Sequence, residues 1–398
     1  MKTLLLCVIG ICSPLIAGTT PNGSLTESTN DLALKLITRL DDPSENLCIS
    51  PYSIQSALSM TAMGADGKTH SEMVKALSHP DTNGEEIHQW IGTYEKNLHE
   101  KLGKADETKV ELKIANRLFM DKNIQLHETF MDQTKKYYGA SAQQMDFSIR
   151  PDAERKKINA WISEKTADNI QDLLPERSIN KATSLVLTNA IYFKADWLKM
   201  FNPKHTHKRA FNNSNGEQVE VDFMTQVNRY GWRNEQDYQV IAISYGKKKP
   251  MQFIVILPDE EKSLINTIKS LTAEKLASFR NLNFSEVERS LYLPKFENTG
   301  NTIKLKQVMM QLGMKEAFGN ADFGKICPNP ILISDIYHQS CIKIDEQGGE
   351  AAAATAVTMK RASLKLTEKM LINRPFFYAI QDCETGLCLF TGTVNTLK

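Results

Sequence analysis

The stretch that decides the fold is Asp345–Ser363, which reads DEQGGEAAAATAVTMKRAS. Its two glycines and β-branched residues make a short helix marginal despite the alanines. In an extended strand, alternate side chains face opposite sides. One face then carries only small or uncharged side chains, namely Gly349, Ala351, Ala353, Thr355, Val357 and Met359. Glu350 and Lys360 both fall on the opposite face, as expected of a segment that slides between two existing strands. The alternative is a flexible linker whose parity is accidental.

The same stretch ends in residues that several kinds of serine protease accept at a cleavage point. These residues are Met359, Lys360, Arg361, Ala362 and Ser363. The end of this stretch is therefore a candidate cleavage point for a serine protease.

The overall composition is that of an ordinary soluble globular protein. The 398 residues are 41% hydrophobic and 24% charged, with a net charge of +1. This balance gives no reason to expect binding to nucleic acid or to a membrane. Helical patterns dominate the first half and strand patterns the second, without a Pro/Gly/Ser-rich linker, which predicts one large α+β domain.

The N-terminus predicts secretion. Lys2 precedes the apolar run Leu4–Ile11, and small residues follow around Ala17 and Gly18. This run is too short to span a bilayer and is typical of a secretory signal. We therefore expect a signal peptide at residues 1–18, a mature chain of residues 19–398 and an extracellular location.

Cysteines and sequons fit an extracellular protein that does not depend on disulfides. Cys7 and Cys12 leave with the signal, and the odd number that remains is Cys48, Cys327, Cys341, Cys383 and Cys388. Cys383 and Cys388 flank a turn, so a disulfide across a hairpin and two free thiols both stay open. Sequons at Asn22, Asn212 and Asn283 are candidate glycosylation sites. No cysteine has the spacing to histidine that a metal site needs.

Hydrophobic periodicity predicts most of the regular elements. Helices are expected over residues 26–40, from Ser50-Pro51 to Gly64, and over Ser71–Leu77, Ile87–Leu102, Phe130–Tyr138, Ala153–Ile170, Leu264–Leu282 and Ile303–Gly313. Strands are expected over Val110–Phe119, Leu185–Phe193, Val219–Phe223, Tyr238–Tyr245, Phe253–Leu257, Leu291–Phe296 and Ile331–Ile344. A closing hairpin is expected from Phe376–Ile380 and Leu387–Val394.

No catalytic motif is present. The sequence lacks a G-x-S-x-G elbow, an H-E-x-x-H pair and a dinucleotide-binding glycine fingerprint. Basic clusters at Lys135-Lys136, Arg155–Lys157 and Lys247–Lys249 are short, and a solvated face is the favoured interpretation. Glycosaminoglycan binding by these clusters is the alternative. We therefore expect neither an enzyme nor a cofactor.

Seven motifs together make the sequence resemble the serpins over nearly the whole mature chain. They are SPYSIQSAL at Ser50–Leu58, NAIYFKADW at Asn189–Trp197, LPKF at Leu293–Phe296, LGMKEAF at Leu312–Phe318, ADF at Ala321–Phe323, GGEAAAATA at Gly348–Ala356 and NRPFFYAI at Asn373–Ile380. The resemblance implies a serpin fold with three β-sheets, about nine helices and an exposed reactive-centre loop at residues 346–370.

The resemblance also implies a function. Inhibitory serpins trap a serine protease in a covalent 1:1 complex, because the cut loop inserts into the central sheet before the acyl-enzyme is hydrolysed. Family spacing from Glu346 places the reactive bond at Ala362–Ser363, which would suit an elastase-like protease. Arg361–Ala362 and Lys360–Arg361 are the trypsin-like alternatives. A monomeric inhibitor is expected, and a non-inhibitory serpin acting as ligand carrier or chaperone is the alternative function.

Two further groups of residues match family positions. The hinge of the loop comprises Glu346, Gly348, Gly349, Glu350, Ala351, Ala352, Ala353 and Ala354. The resemblance assigns Ser50, Ser53, Asn189 and His338 to a polar cluster where the central sheet parts, and Trp197 to the top of that opening. Gly349 departs from the usual Thr or Ser, which keeps the small face but adds backbone freedom.

Overall fold

The computed structural model describes residues 21–80, 84–102, 110–139, 142–282, 287–299, 301–348 and 367–398. The expected signal peptide at residues 1–18 lies outside these ranges. So do the hinge residues from Gly349 to Ala354, the candidate reactive bonds from Lys360 to Ser363, and the sequon residue Asn283.

Nine α-helices lie within the described residues. They are α1 (Pro21–Leu40), α2 (Pro51–Ala62), α3 (Gly67–Ala76), α4 (Gly84–Leu102), α5 (Glu128–Tyr138), α6 (Pro151–Lys165), α7 (Leu264–Ser270), α8 (Ala273–Ser278) and α9 (Lys306–Gln311). Three short 3-10 helices cover Pro203–His205, Phe279–Asn281 and Glu316–Phe318.

Sixteen strands are described. They are β1 (Leu47–Ile49), β2 (Val110–Asp121), β3 (Gln143–Met145), β4 (Leu185–Ala195), β5 (His207–Asn212), β6 (Gln218–Asn228), β7 (Gly231–Asn234), β8 (Tyr238–Tyr245), β9 (Met251–Pro258), β10 (Arg289–Pro294), β11 (Phe296–Thr299), β12 (Ile303–Lys304), β13 (Ile333–Ile344), β14 (Glu368–Leu371), β15 (Phe376–Asp382) and β16 (Cys388–Val394).

These strands form three sheets, the number that the resemblance implies. The central sheet has the order β11–β13–β4–β2–β3, with β12 also paired to β13. The C-terminal sheet has the order β1–β16–β15–β9–β8–β7, and a four-stranded sheet has the order β14–β10–β6–β5. The fold is therefore a mixed α+β architecture in which the predicted closing hairpin, β15–β16, lies inside the C-terminal sheet.

Helix α2 lies in the core between the central and C-terminal sheets. Ser50 adopts an extended backbone and its hydroxyl accepts the Ser53 N–H at 3.2 Å, while Pro51 occupies the first helical position. This capped start is the one that the sequence predicts. Every residue of α2 is buried, so its hydroxyls and amides must find partners within the protein.

Helix α6 covers the opposite face of the central sheet. Ile158 and Ile162 from the helix pack with Val186 and Ala190 of β4 in a second, smaller apolar cluster. The central sheet is consequently buried on both faces at this level, and no strand can be added to it without displacing packed side chains.

Three predicted elements are wrong in detail. The helix expected over Leu264–Leu282 is two helices, because Thr272 is extended and its hydroxyl accepts the Lys275 N–H at 3.1 Å, starting α8. The helix expected at Ile303 begins as the short strand β12 and becomes helical only at Lys306. The strand expected over Leu291–Phe296 is divided between β10 and β11, which belong to different sheets.

The structure also bears on membrane-spanning helices, metal ligands and the pairing of Cys383 with Cys388. No helix within the described ranges is long and apolar enough to cross a bilayer. In the same part of the chain, no three His, Cys, Asp or Glu side chains lie together as metal ligands would. Cys383 and Cys388 are free thiols, because Cys388 pairs across the hairpin with Gln381 rather than with Cys383.

Candidate functional site

The seam between β13 and β4 is the centre of the candidate site. These strands pair directly and in parallel, from Ile333 opposite Leu185 to Cys341 opposite Tyr192. On its other side β4 pairs antiparallel with β2. A chain that left the end of β13 and turned back into the seam would run antiparallel to both neighbours. It could therefore hydrogen-bond to each of them along its length.

A buried polar group, here called the seam cluster, crosses this seam. His338 Nδ1 hydrogen-bonds to Asn189 Oδ1, and its Nε2 accepts the Ser50 N–H at 3.1 Å. Asn189 Nδ2 donates to Ser53 Oγ and to Asn116 Oδ1, both at 2.6 Å. The cluster thus ties β13, β4 and β2 to the start of α2 at the level where the sheet would have to part.

The electrostatic state of the seam cluster follows from its burial. His338 is fully buried, and loss of hydration lowers the pKa of its imidazole to about 3. The ring is therefore neutral at physiological pH. Beside it on β13, Gln339 Oε1 is buried without a hydrogen-bond partner among the described residues. The seam is therefore held by the strand pairing and a few side-chain hydrogen bonds, and it includes one polar atom that is left unsatisfied.

Glu346 is anchored immediately after β13. Its carboxylate accepts a hydrogen bond from Thr206 Oγ1 at 2.7 Å and pairs with Lys295 Nζ at 2.8 Å. Partial burial pushes the pKa of this carboxyl upward, but the hydrogen bonds from Lys295 and Thr206 outweigh burial and leave the pKa below its ordinary value. The hinge acid is thus charged and attached to the four-stranded sheet.

Trp197 lies at the end of the seam nearest Glu346. Its ring stacks on Tyr245 with centroids 4.3 Å apart, and its indole N–H donates to Asp345 O at 2.8 Å. Its backbone N–H donates to Gln347 O at 2.8 Å, and Phe201 N–H donates to Glu346 O at the same distance. The chain is therefore fixed by several hydrogen bonds at the start of the loop.

Gly348 ends the described part of the hinge. Its φ is +109°, and a Cβ built there would lie 2.4 Å from Ala195 O. A side chain at this position would collide with the backbone beside Trp197, and its conformation would be strained. The glycine is therefore required for the chain to leave β13 so close to the end of β4.

The structure brings together four of the five residues that the sequence assigns to the sheet opening. Ser50, Ser53, Asn189 and His338 all belong to the seam cluster, while Trp197 lies apart, beside the hinge. Sequence reasoning missed Asn116, because β2 also carries Glu111, Lys113 and Arg117 and one more polar side chain did not stand out. It also missed Lys295, the partner of Glu346.

The remaining predicted sites are surface features. Asn212 is exposed at the end of β5, as a glycan acceptor must be. Of the predicted basic clusters, Lys156 and Lys157 are already paired with Asp152 and Glu154 at 3.1 and 2.7 Å. The charges of these two lysines are therefore largely neutralised by acidic side chains of the same helix.

Comparison with known proteins gives a consistent result. A family model described as "Serpin (serine protease inhibitor)" matches residues 27–397. Serpin B6 of Macaca fascicularis is 34% identical over 379 residues, which cover 94% of this chain and 99% of that protein. The native crystal structure of tengpin, a thermophilic serpin, has a TM-score of 0.84 and 31% identity, with 94% of each chain covered. Human thyroxine-binding globulin, solved with its ligand, also has a TM-score of 0.84, with 26% identity and 95% and 99% coverage.

Proposed function

The chain belongs to the serpin family, and on that premise we propose that it is a secreted, monomeric inhibitor that traps serine proteases covalently. The protease attacks the inhibitor as a substrate, and the reaction stops at the covalent complex. Each inhibitor molecule is therefore used only once. It is not an enzyme and needs no cofactor.

The observation that carries this proposal is the direct parallel pairing of β13 with β4, with the loop leaving from the end of β13. If these two strands part, an inserted strand would run antiparallel to both of them and could pair with each. The segment that follows has one face of small side chains that fits such a place. The hinge contains neither proline nor an inward-facing charge that would oppose insertion.

The chemistry proceeds on the loop. The protease serine attacks the carbonyl carbon of Ala362, the peptide bond to Ser363 breaks, and an ester joins Ala362 to the protease. The amine of Ser363 leaves as a new N-terminus. Insertion of the upstream segment then carries the esterified protease away from the hinge before water can hydrolyse the ester. Inhibition is a kinetic contest between insertion and hydrolysis.

Insertion has a large thermodynamic drive. About a dozen newly paired residues at about 1 kcal/mol net per hydrogen bond supply on the order of 10 kcal/mol. About fifteen residues at about 3.3 Å each span roughly 50 Å, enough to move the protease to the far end of the sheet. Release of strain by loop insertion is the switch for which serpins are known.

Incubation with an elastase-type and a trypsin-type protease tests the proposal. We expect an adduct that resists denaturant on a gel, together with a released C-terminal peptide. A peptide that begins at Ser363 supports the Ala362–Ser363 bond. A peptide that begins at Ala362 moves the reactive bond to Arg361–Ala362, and one that begins at Arg361 moves it to Lys360–Arg361. Cleavage without an adduct across a broad protease panel would contradict the inhibitor proposal.

A carrier or chaperone is the second candidate. The similarity to thyroxine-binding globulin, a family member solved with a small ligand, keeps this function open on structural grounds. The small, uncharged hinge favours inhibition, because a carrier has no need of a segment that can enter the sheet. Secretion and glycosylation at Asn22, Asn212 and Asn283 belong to the proposal, and mass analysis of protein from secreting cells tests both.

A further inference from the structure

The hairpin turn between β5 and β6 contains an asparagine followed by a glycine. Asn213 N–H donates to Glu217 O at 2.8 Å, and Gly216 N–H donates to Asn213 O at 2.9 Å, which closes the turn. Asn215 lies inside the turn, and Gly216 after it has a φ of +85°. Both residues are exposed, so water reaches the peptide that joins them.

The side chain of Asn215 is folded back over this peptide. Its Oδ1 accepts the Glu217 N–H at 2.9 Å, a contact that bends an asparagine side chain over the intervening peptide. The amide carbon Cγ is therefore turned towards the Gly216 nitrogen, and the donated hydrogen bond polarises its carbonyl. Gly216 has no side chain, and apart from its chain neighbours no heavy atom lies within 4 Å of the place of a Cβ. Nothing therefore blocks contact between the two atoms.

We propose that Asn215 is a site of spontaneous deamidation. The Gly216 nitrogen attacks Asn215 Cγ, its proton passes to water, and ammonia leaves from Cγ, so that a five-membered succinimide ring closes. The hydrogen bond from Gly216 to Asn213 O must open briefly for this step, as hydrogen bonds of exposed turns do. Water then opens the ring. Cleavage between Cγ and the nitrogen yields aspartate, and cleavage at the main-chain carbonyl yields isoaspartate.

The same turn holds the C-terminal end of the chain. Leu397 N–H donates to Asn213 Oδ1 at 2.8 Å, and Asn213 Nδ2 donates back to Leu397 O at 3.1 Å. Ser214 N–H also donates to Asn395 O at 2.9 Å. Isoaspartate lengthens the main chain of the turn by one carbon, so Asn213 and Ser214 cannot keep both sets of contacts in the same geometry. Conversion should therefore loosen the C-terminal segment.

Two neighbouring asparagines serve as internal controls, because trypsin leaves them in the same peptide, Ala210–Arg229. Asn213 is buried, and both polar atoms of its side chain are bonded to Leu397. Asn228 Nδ2 donates to Gln226 Oε1 at 3.3 Å. Neither asparagine is followed by glycine, so a side chain hinders attack by the next nitrogen.

Peptide mapping of the full-length protein after incubation at mildly alkaline pH tests the site. The protein is made in cells that do not add glycans, because the sequon residue Asn212 lies in the same peptide. Electron-transfer fragmentation distinguishes isoaspartate from aspartate at each position. Isoaspartate at position 215 should exceed that at positions 213 and 228 at least about tenfold. Asn215→Gln keeps the amide but would need a six-membered ring, and it should stay unmodified.

The outcome that would overturn the site is no conversion at Asn215, or equal conversion at the three asparagines. Carboxypeptidase B, which removes a C-terminal lysine, then tests the consequence for Lys398. Release from the incubated protein should be at least about threefold faster than from fresh protein, because cleavage follows the population of open chain ends. Incubated Asn215→Gln should show no such increase.

Asn215→Asp carries the new charge without the additional main-chain carbon, so it separates the two effects of conversion. Fresh Asn215→Asp should release Lys398 as slowly as the fresh unmodified protein. Fast release from this variant would assign the loosening to charge and overturn the role of the lengthened main chain. Unchanged release after conversion to isoaspartate would contradict the link between the turn and the C-terminus.

Discussion

At the scale of the residue, Glu346 joins the start of the loop to the four-stranded sheet. Its lowered pKa means that the native state favours the charged form, so the contact adds stability above the ordinary Glu pKa of about 4.3. Glu346→Gln should lower the free energy of unfolding by about 1–2 kcal/mol near neutral pH. The difference from the unmodified protein should narrow as the pH falls below about 4.

Urea denaturation at several pH values measures this effect. Glu384→Gln is the matched control, because Glu384 is 75% exposed and shares Lys101 with a second acid, Asp382. It should change stability by less than about 0.5 kcal/mol. A stability gap for Glu346→Gln that does not narrow in acid would show that the loss arises from packing rather than from the carboxylate.

His338 predicts a pH dependence of the same sign but at higher pH. Burial lowers its native pKa from 6.5 to about 3, so below pH 6.5 the unfolded chain binds a proton that the folded chain does not. This single site should cost about 2 kcal/mol of stability at about pH 5. In His338→Gln we expect a lower stability at neutral pH but a shallower decline in acid.

The exposed residue His205 provides the comparison for this prediction. His205→Gln should leave the decline between neutral and mildly acidic pH unchanged. The stability of His338→Gln could instead decline with falling pH as steeply as that of the unmodified protein. That result would mean that the seam histidine takes up its proton in the native state at mildly acidic pH, as it does in the unfolded chain.

The inward face of the loop gives a third prediction at this scale. Ala353→Arg would place a charge in the interior of the sheet, so we expect cleavage without an adduct. Ala352→Arg carries the same substitution on the opposite face and should still form the adduct. Both variants can be scored on one gel from the ratio of adduct to cleaved inhibitor. Equal yields from the two variants would refute the assignment of faces.

At the scale of the element, the proposed insertion requires the seam between β13 and β4 to open while the seam between β4 and β2 stays closed. Gln339 lies opposite Ala190 across the first seam, and Ala115 lies opposite Ala190 across the second. A disulfide from Gln339→Cys and Ala190→Cys, with Cys383→Ser to avoid mispairing, should convert the inhibitor into a substrate. Reductant should restore adduct formation.

The pair Ala115→Cys and Ala190→Cys shares one cysteine with this variant and closes the other seam. It should form the adduct whether oxidised or reduced. An oxidised Gln339/Ala190 variant that still forms adduct at the normal yield would mean that the loop does not enter at this seam.

The accuracy with which the sequence predicted the type and bounds of an element varied widely between elements. Tyr238–Tyr245 is a strand with the bounds that its apolar pattern indicates, because both its faces are buried. Hydrophobic periodicity could not locate the break at Thr272, where one capping hydroxyl overrides a continuous apolar pattern. The short strand β12 was missed because its two residues are stabilised as a strand by pairing with β13, a contact distant in sequence.

The residues of the candidate site also differ in how far they could be predicted from the sequence. His338 and Asn189 were assigned by resemblance, since nothing in their local sequence places them opposite each other in the parallel register. Asn116 was missed because its partner Asn189 is brought to it only by the pairing of β2 with β4. The pair formed by Glu346 and Lys295 likewise requires the four-stranded sheet to lie beside the end of β13.

At the scale of the whole molecule, the proposed function requires the native fold to be less stable than the cleaved form. A chain nicked between Lys360 and Ser363 should be more stable than the intact protein by on the order of 10 kcal/mol. Thermal or denaturant unfolding of the two forms measures the difference. If the nicked form unfolded at the same temperature or denaturant concentration as the intact form, no strand would be gained after cleavage.

The downstream end of the loop is held by β14, which pairs in parallel with β10 from Arg289 opposite Glu368 to Tyr292 opposite Leu371. Arg289 Nε also donates to Glu368 at 3.0 Å, and its guanidinium stacks over Trp232. An uncut chain is tethered at both ends of residues 349–366, so complete insertion would require β14 to peel from its sheet. The time for which the intact protein stays in its native form should therefore depend on this four-residue edge strand as well as on the proposed reactive bond.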